Sequence, residues 1–115
     1  MRTLNDYFIS GRITDISTAG STFVVVPDGG KIIKIVSVLQ GAISGGNAAI
    51  TFEIDGTAVT NGGFTVAHSG SAAGTSDSSV PTALNDVAED GKIEMITDGN
   101  STGAKSLDVT FTIRR

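Results

Sequence analysis

The chain has 115 residues, a length that suits one domain with its own hydrophobic core. It contains no cysteine, so disulfide bridges and cysteine-ligated zinc sites are excluded. The net charge is −4 and the eight basic residues are scattered, which disfavours a nucleic-acid partner because phosphate binding requires clustered Lys and Arg.

The sequence predicts neither a membrane span nor a secretory signal. No apolar run approaches the roughly 18 residues that a membrane-spanning helix needs. Met1 leads into no long apolar segment, which argues against a signal peptide. The composition is rich in Ser, Thr, Gly, Ala and Val, which favours strands and turns over helices.

The N-terminal residues 1–8 are interpreted as an arm, and residues 9–115 as a single β-sandwich domain. Leu4, Tyr7 and Phe8 stand at helical spacing, so the arm is either a short helical turn or an extended segment. These three side chains need apolar surroundings, supplied by the chain's own core or by a neighbouring subunit. They are therefore the candidate interface residues. Ile9 to Ile16 reads as the first strand, and Gly11 within it predicts a bulge or a close approach by another backbone.

The segment from Ser21 to Gln40 organises the rest of the chain. Two β-branched runs flank Pro27-Asp28-Gly29-Gly30, which is typical of a β-hairpin. Both runs are apolar at odd and even positions alike. A strand with one wet face would alternate, so we expect both strands to be covered on both faces for part of their length.

The next segment alternates clearly. Ile50, Phe52 and Ile54 are separated by polar residues, which indicates a strand with one apolar face. Asp55-Gly56 then predicts a type I′ hairpin turn, because that turn requires positive φ at both central positions. Short strands are expected over 57–60 and 64–68.

Residues 69–80 contain little that could be buried and are predicted to be a long mobile loop. After Pro81, Leu84 and Val87 fit the inward face of a short helix near residues 82–90. Gly91 would end that helix, in a position where positive φ is tolerated.

The last two strands carry the clearest patterns. Residues 92–98 place Ile93 and Met95 on one side, and residues 106–114 alternate without a break. In that final strand Leu107, Val109, Phe111 and Ile113 are predicted to face the core. The total is about eight strands, with turn signals about every 8 to 12 residues. The fold class is therefore all-β: an antiparallel, jelly-roll-like sandwich, with an immunoglobulin-like sandwich as the alternative.

Catalytic chemistry finds little support. His68 is the one histidine, and no Gly-x-Ser-x-Gly elbow surrounds a serine that it could activate. We expect no catalytic residue, no cofactor site and no metal site. Asp86, Glu89 and Asp90 cluster beside a glycine, but three carboxylates are too few to specify a calcium site.

Paired carboxylates raise one further enzymatic hypothesis, glycoside hydrolysis. Glu53, Glu94 and Asp108 lie on polar strand faces and would have to meet across a cleft to cleave a glycoside. The chain has no Trp and a single Tyr, so the aromatic platform that sugars stack on is missing.

The organisation of the chain resembles that of tailed-bacteriophage head decoration, or cement, proteins. The likeness lies in the small, acidic, cysteine-free composition and in three segments. These are the turn region Val24–Ile32, the strand and turn Lys92–Gly99 and the closing strand Asp108–Arg115.

The resemblance implies a structural virion protein without an active site. Such a protein is made in the host cytoplasm and sits on the capsid exterior. Its partner is the major capsid protein, it self-associates as a homotrimer, and it binds neither nucleic acid nor membrane. The competing class is a binding module: a fibre tip, an adhesin or a carbohydrate-binding sandwich. A small hydrolase ranks third.

Overall fold

The computed structural model describes residues 5–115 and contains only β-structure there. Leu4 and the three residues before it lie outside the described part. The ten strands are β1 (Asp6–Ile13), β2 (Gly20–Val26), β3 (Gly30–Leu39), β4 (Ala48–Ile54), β5 (Thr57–Ala58), β6 (Phe64–Val66), β7 (Ser76–Ser79), β8 (Asp86–Val87), β9 (Gly91–Thr97) and β10 (Leu107–Arg114). No helix within residues 5–115 is long and apolar enough to cross a bilayer.

The strands form two antiparallel sheets. Sheet A has the order β1-β10-β3-β7, with β8 also paired to β3. Sheet B has the order β2-β9-β4-β5, with β6 also paired to β4. β5 and β6 both lie beside β4 and together form one interrupted edge. β7 and β8 do the same beside β3, so the two sheets have eight strand positions in all.

The connectivity is that of a jelly roll. β1, β3 and β10 lie in sheet A, whereas β2, β4 and β9 lie in sheet B, so the chain changes sheet at most connections. The first strand pairs with the last, and the second with the last but one. The predicted antiparallel sandwich is confirmed, with ten strand segments in place of about eight.

The core lies between the sheets and follows the predicted alternation. All four predicted inward residues of β10 are completely buried. Ile50 and Phe52 of β4 are also buried, as are Ile93 and Met95 of the neighbouring strand β9, where Met95 is the cross-strand partner of Phe52. Strict alternation determined the register here, because a slip by one residue would expose every apolar side chain of the strand.

The turn at Pro27 is present, but the predicted hairpin is wrong. β2 pairs with β9, and β3 pairs with β10, so the turn carries the chain from one sheet to the other. Gly29 and Gly30 have φ values of 67° and 127°, a region that favours glycine. A side chain at Gly30 would also lie 2.7 Å from the carbonyl oxygen of Arg114.

The expectation that these strands are covered on both faces is also wrong within the single chain. In β3 the ladder to β10 shifts register, so that Ile33 has no partner opposite it. This bulge reverses the alternation, and it lets both Ile32 and Ile35 face the core. In β2 the outward side chains of Phe23 and Val25 remain 60% and 53% exposed.

The predicted helix near 82–90 is wrong. The segment contains the short strand β8, and Leu84 is exposed with a φ of 54°. The backbone is instead held from both sides. Thr60 donates to the carbonyl oxygen of Ala83 at 3.0 Å, and Ile32 donates to that of Asn85 at 2.9 Å. Pairing with other strands therefore overrides the helical spacing.

Two other segments differ from expectation. The predicted mobile loop over 69–80 contains β7, whose backbone pairs with β3. Asp6, Tyr7 and Phe8, assigned to the N-terminal arm, lie in β1 and pair with β10.

The predicted close approach at Gly11 comes from side chains, not from another backbone. A Cβ at Gly11 would clash with the side chain of Val24 and lie 2.7 Å from Met95 Cε. The register of β1 against β10 runs through Gly11 without a bulge.

The type I′ turn predicted at Asp55-Gly56 is confirmed. The two residues have φ values of 53° and 80°, as that turn requires, and they join β4 to β5.

Candidate interaction surfaces

The outer face of sheet A carries an apolar groove that we call the outer patch, formed by Phe8, Ile33, Val36 and Val80. Val80 is 62% exposed, and Phe8 and Val36 are also exposed. The bulge in β3 turns Ile33 toward this face. Three different parts of the chain therefore meet in one apolar surface.

The charged residues near the outer patch are largely neutralised within the chain. Arg12 binds Asp108 through two hydrogen bonds of 2.6 and 3.0 Å, across the β1–β10 ladder. Arg114 binds Asp6 in the same way, at 2.8 and 3.0 Å. These bidentate pairs sit towards the two ends of the ladder. The outer face of sheet A between these two ion pairs can therefore contact another surface without burying an unpaired carboxylate.

Two of the three predicted interface residues, Tyr7 and Phe8, lie in the described part of the chain, and their side chains point to opposite faces of β1. Phe8 points outward and belongs to the outer patch. Tyr7 points inward, and its hydroxyl donates to the carbonyl oxygen of Gly29 at 2.6 Å. Burial raises the pKa of Tyr7, and the Arg115 guanidinium lies 5.8 Å from its ring centre. Tyr7 therefore links β1 to the β2–β3 turn. Leu4, the third predicted interface residue, lies outside the described residues.

Sequence reasoning missed a second apolar surface, on β2. Phe23 and Val25 project from the outer face of sheet B, at the edge of the sheet. The signal was present, because the run Phe23-Val24-Val25-Val26 has no polar residue on either face. It was interpreted as internal burial, whereas the single chain leaves one face uncovered.

His68 is not arranged for catalysis. Its Nδ1 lies 2.7 Å from the side-chain oxygen of Asn47, and its backbone N–H donates to the same oxygen. The hydroxyl of Ser71 donates to the backbone carbonyl oxygens of His68 and Ile43, and not to the imidazole. These contacts fix the loop after β6. They do not activate a nucleophile.

The three carboxylates considered for glycoside cleavage do not meet at one site, although two of them are adjacent. Glu53 and Glu94 are direct partners on β4 and β9 of sheet B, whereas Asp108 belongs to sheet A. Asp86 lies in β8, where its carboxylate is 3.8 Å from the Lys31 ammonium. Within residues 5–115 no group of three or more His, Asp or Glu side chains is placed to hold a metal ion.

Asp77 is a partly buried carboxylate with one unpaired oxygen. It lies in β7 opposite Ser37, and its Oδ2 is buried without a hydrogen-bond partner. Burial raises the pKa of Asp77 above its ordinary value. The folded state therefore binds the proton more tightly than the unfolded chain does.

Asp77→Asn is expected to stabilise the protein at neutral pH by about 1 kcal/mol, because it removes a partly buried charge. The pKa of Asp77 is raised in the folded state. At a pH below the pKa of the unfolded chain, Asp77 is protonated in both states and its charge costs no stability, whereas above the pKa of the folded state the loss of stability is complete. Thermal unfolding of both proteins between pH 3 and pH 8 should show a gain of about 4 °C that disappears at acidic pH.

Asp108→Asn is the matched control with the opposite sign. Hydrogen bonding from Arg12 lowers the pKa of Asp108, so this carboxylate contributes stability above its unfolded pKa and loses it as the pH falls. The variant should be less stable than wild type at neutral pH. A gain for Asp77→Asn that is independent of pH would contradict the assignment of burial as the cause.

Comparison with known proteins assigns no family. The sequence matches no protein-family model and no curated protein. Among solved structures it is similar to dimeric latent PorU from Porphyromonas gingivalis, with 12% sequence identity and a TM-score of 0.48. That similarity covers 96% of this chain and 13% of the PorU chain. The chain thus corresponds to about an eighth of the length of that protein, and a similarity at this level assigns no function.

Proposed function

We propose that this chain is a structural virion protein that decorates the outside of a tailed-bacteriophage head. It stabilises the shell by contacts with the major capsid protein, and it carries no active site. The observation that supports this is the outer patch, an apolar surface whose neighbouring carboxylates are paired within the chain.

The physical argument starts from solvent exposure. Exposed apolar side chains gathered in one groove are typical of a protein–protein contact, because covering them removes apolar area from water. The carboxylates beside the groove already have arginine partners, so docking does not bury an unpaired carboxylate. Lys34, which also lines the groove, adds a positive rim that suits an acidic shell surface.

The proposal includes self-association as a homotrimer on the virion exterior. A threefold assembly would cover sheet edges that a single sandwich leaves open. It would also place several outer patches on one capsomer junction, where repeated weak contacts combine into tight binding.

Co-sedimentation with shells built from the major capsid protein of the same genome tests the proposal. Wild type should pellet with the shells and saturate at a fixed ratio to capsomers. Val80→Lys puts a charge into the outer patch and should lower the affinity about tenfold or more. Thr65→Lys is the control, because Thr65 is exposed on sheet B and the substitution adds the same charge.

Three outcomes are distinguishable. Wild-type protein that stays in the supernatant at micromolar concentration contradicts shell decoration and favours the binding-module alternative. Equal binding by Val80→Lys and wild type contradicts the assignment of the outer patch. Equal losses for Val80→Lys and Thr65→Lys would show that net charge alone controls the interaction.

A further inference from the structure

The four sheet edges of the sandwich are not equivalent. The edge formed by β1 carries the charged residues Asp6 and Arg12. The interrupted edges are made of strands of two to four residues. Charged and very short edge strands are the usual protection against unwanted pairing with other chains.

β2 lacks this protection. It has seven residues, Gly20–Val26, with no charge and no proline. Its side chains include four consecutive apolar residues of high strand propensity, and two of those are exposed. Among the described residues, no backbone group outside the β9 ladder bonds to residues 21–25. The edge is therefore long, apolar and open.

The hydrogen-bonding direction of each residue follows from one contact. The carbonyl oxygen of Val26 accepts from the N–H of Asp90, on the side of β9. The N–H and C=O of one strand residue point to the same side, and the side alternates along the strand. The backbone groups of Ser21, Phe23 and Val25 consequently point to the open edge.

We propose that β2 pairs with β2 of a second copy of this chain, antiparallel about a twofold axis at Phe23. In this register Phe23 lies opposite Phe23 of the second copy, and each Ser21 lies opposite a Val25. All three outward-pointing residues then exchange both backbone bonds, which gives about six hydrogen bonds. The two sheets B become one continuous sheet.

Charge and side-chain pairing identify the second copy as the occupant. The chain carries a net charge of −4, so two copies repel over most of their surface. β2 has no charged residue, so two acidic chains can meet along this long edge without opposing carboxylates. Across the axis the outer face gains an aromatic pair, which is a favourable cross-strand contact.

This contact goes beyond the proposed function, because it requires no capsid. A twofold contact cannot close a ring of three, so in a trimeric protein it would join two trimers. In either case, breaking it halves the mass of the particle.

Light scattering coupled to size-exclusion chromatography tests the proposal on the full chain. Val25→Lys adds a charge to the open edge, and it should halve the mass of the wild-type particle. Thr65→Lys is the matched control, because Thr65 is also exposed but lies in β6, at the opposite edge of sheet B, and the mass of this variant should equal that of wild type. Phe23→Pro removes an outward N–H that β9 does not use, and it should also halve the mass.

Equal masses for wild type and Val25→Lys overturn the β2 contact, as does a halved mass for Thr65→Lys. Thermal unfolding accompanies each measurement, so that loss of fold is recognised. The two proposals fail separately. If Val25→Lys halves the mass but wild type does not bind shells, the β2 contact stands and the decoration proposal is overturned. If wild type binds shells but has the same mass as Val25→Lys, decoration stands and the β2 contact is overturned.

Discussion

Phe111→Ala is expected to destabilise the folded protein by about 4 kcal/mol. Phe111 of sheet A is completely buried, and its ring stands edge-on to Phe52 of sheet B, with centroids 5.5 Å apart. Phe52 in turn contacts Phe64, at 5.8 Å. The truncation therefore opens a cavity where the two sheets meet, and it also removes an aromatic pair between the layers. Urea denaturation followed by circular dichroism measures the loss.

Phe23→Ala is the control, made like Phe111→Ala in the Val25→Lys background so that self-association does not contribute. Phe23 is 60% exposed, and its truncation should change the unfolding free energy by about 0.5 kcal/mol or less. Equal losses for the two variants would mean that Phe111 does not hold the sheets together. A changed urea dependence would indicate an altered unfolded state and not a cavity.

The sequence predicted most reliably where the period of two is unbroken. β10 and β4 alternate strictly, and their inward residues are buried as expected. Asp55-Gly56 also predicted its turn, because the requirement for positive φ at two consecutive positions is local.

Pairing partners could not be predicted from local pattern. Asp6 pairs with Arg114, and Gly20 with Thr97, so the ladders join distant parts of the chain. A Pro-Asp-Gly-Gly turn between two β-branched runs looks the same whether the strands pair with each other or enter different sheets. The alternation of β3 was also hidden, because the bulge at Ile33 depends on its match to β10.

The outer patch illustrates the same limit. Phe8 was predicted as an interface residue, but its neighbours Ile33, Val36 and Val80 come together only through sheet A. β7 has the sequence Ser-Asp-Ser-Ser and carries no apolar signal. It forms a strand because its backbone groups complete the ladder of β3, which no composition rule detects.

Asn85→Ala is expected to destabilise the protein by about 2 kcal/mol. Asn85 is buried and bridges the gap between β7 and β8 along β3. Its backbone carbonyl accepts from the N–H of Ile32 at 2.9 Å, and its side-chain amide donates to the carbonyl oxygen of Ile32 at 2.7 Å. Alanine keeps the first bond and removes the second, which leaves a buried carbonyl without that donor. Urea denaturation at neutral pH gives the loss.

Leu84→Gly is the neighbouring substitution with the opposite expected sign. Leu84 is exposed and holds a φ of 54°, a conformation that costs an ordinary residue about 1 kcal/mol and costs glycine little. The variant should therefore be equal to wild type or slightly more stable. If Asn85→Ala proved as harmless as Leu84→Gly, the segment between Pro81 and Val87 would be held by its backbone pairing alone. A loss for Asn85→Ala together with a neutral or stabilising Leu84→Gly would instead show that the buried side-chain amide of Asn85 helps to hold this segment against β3.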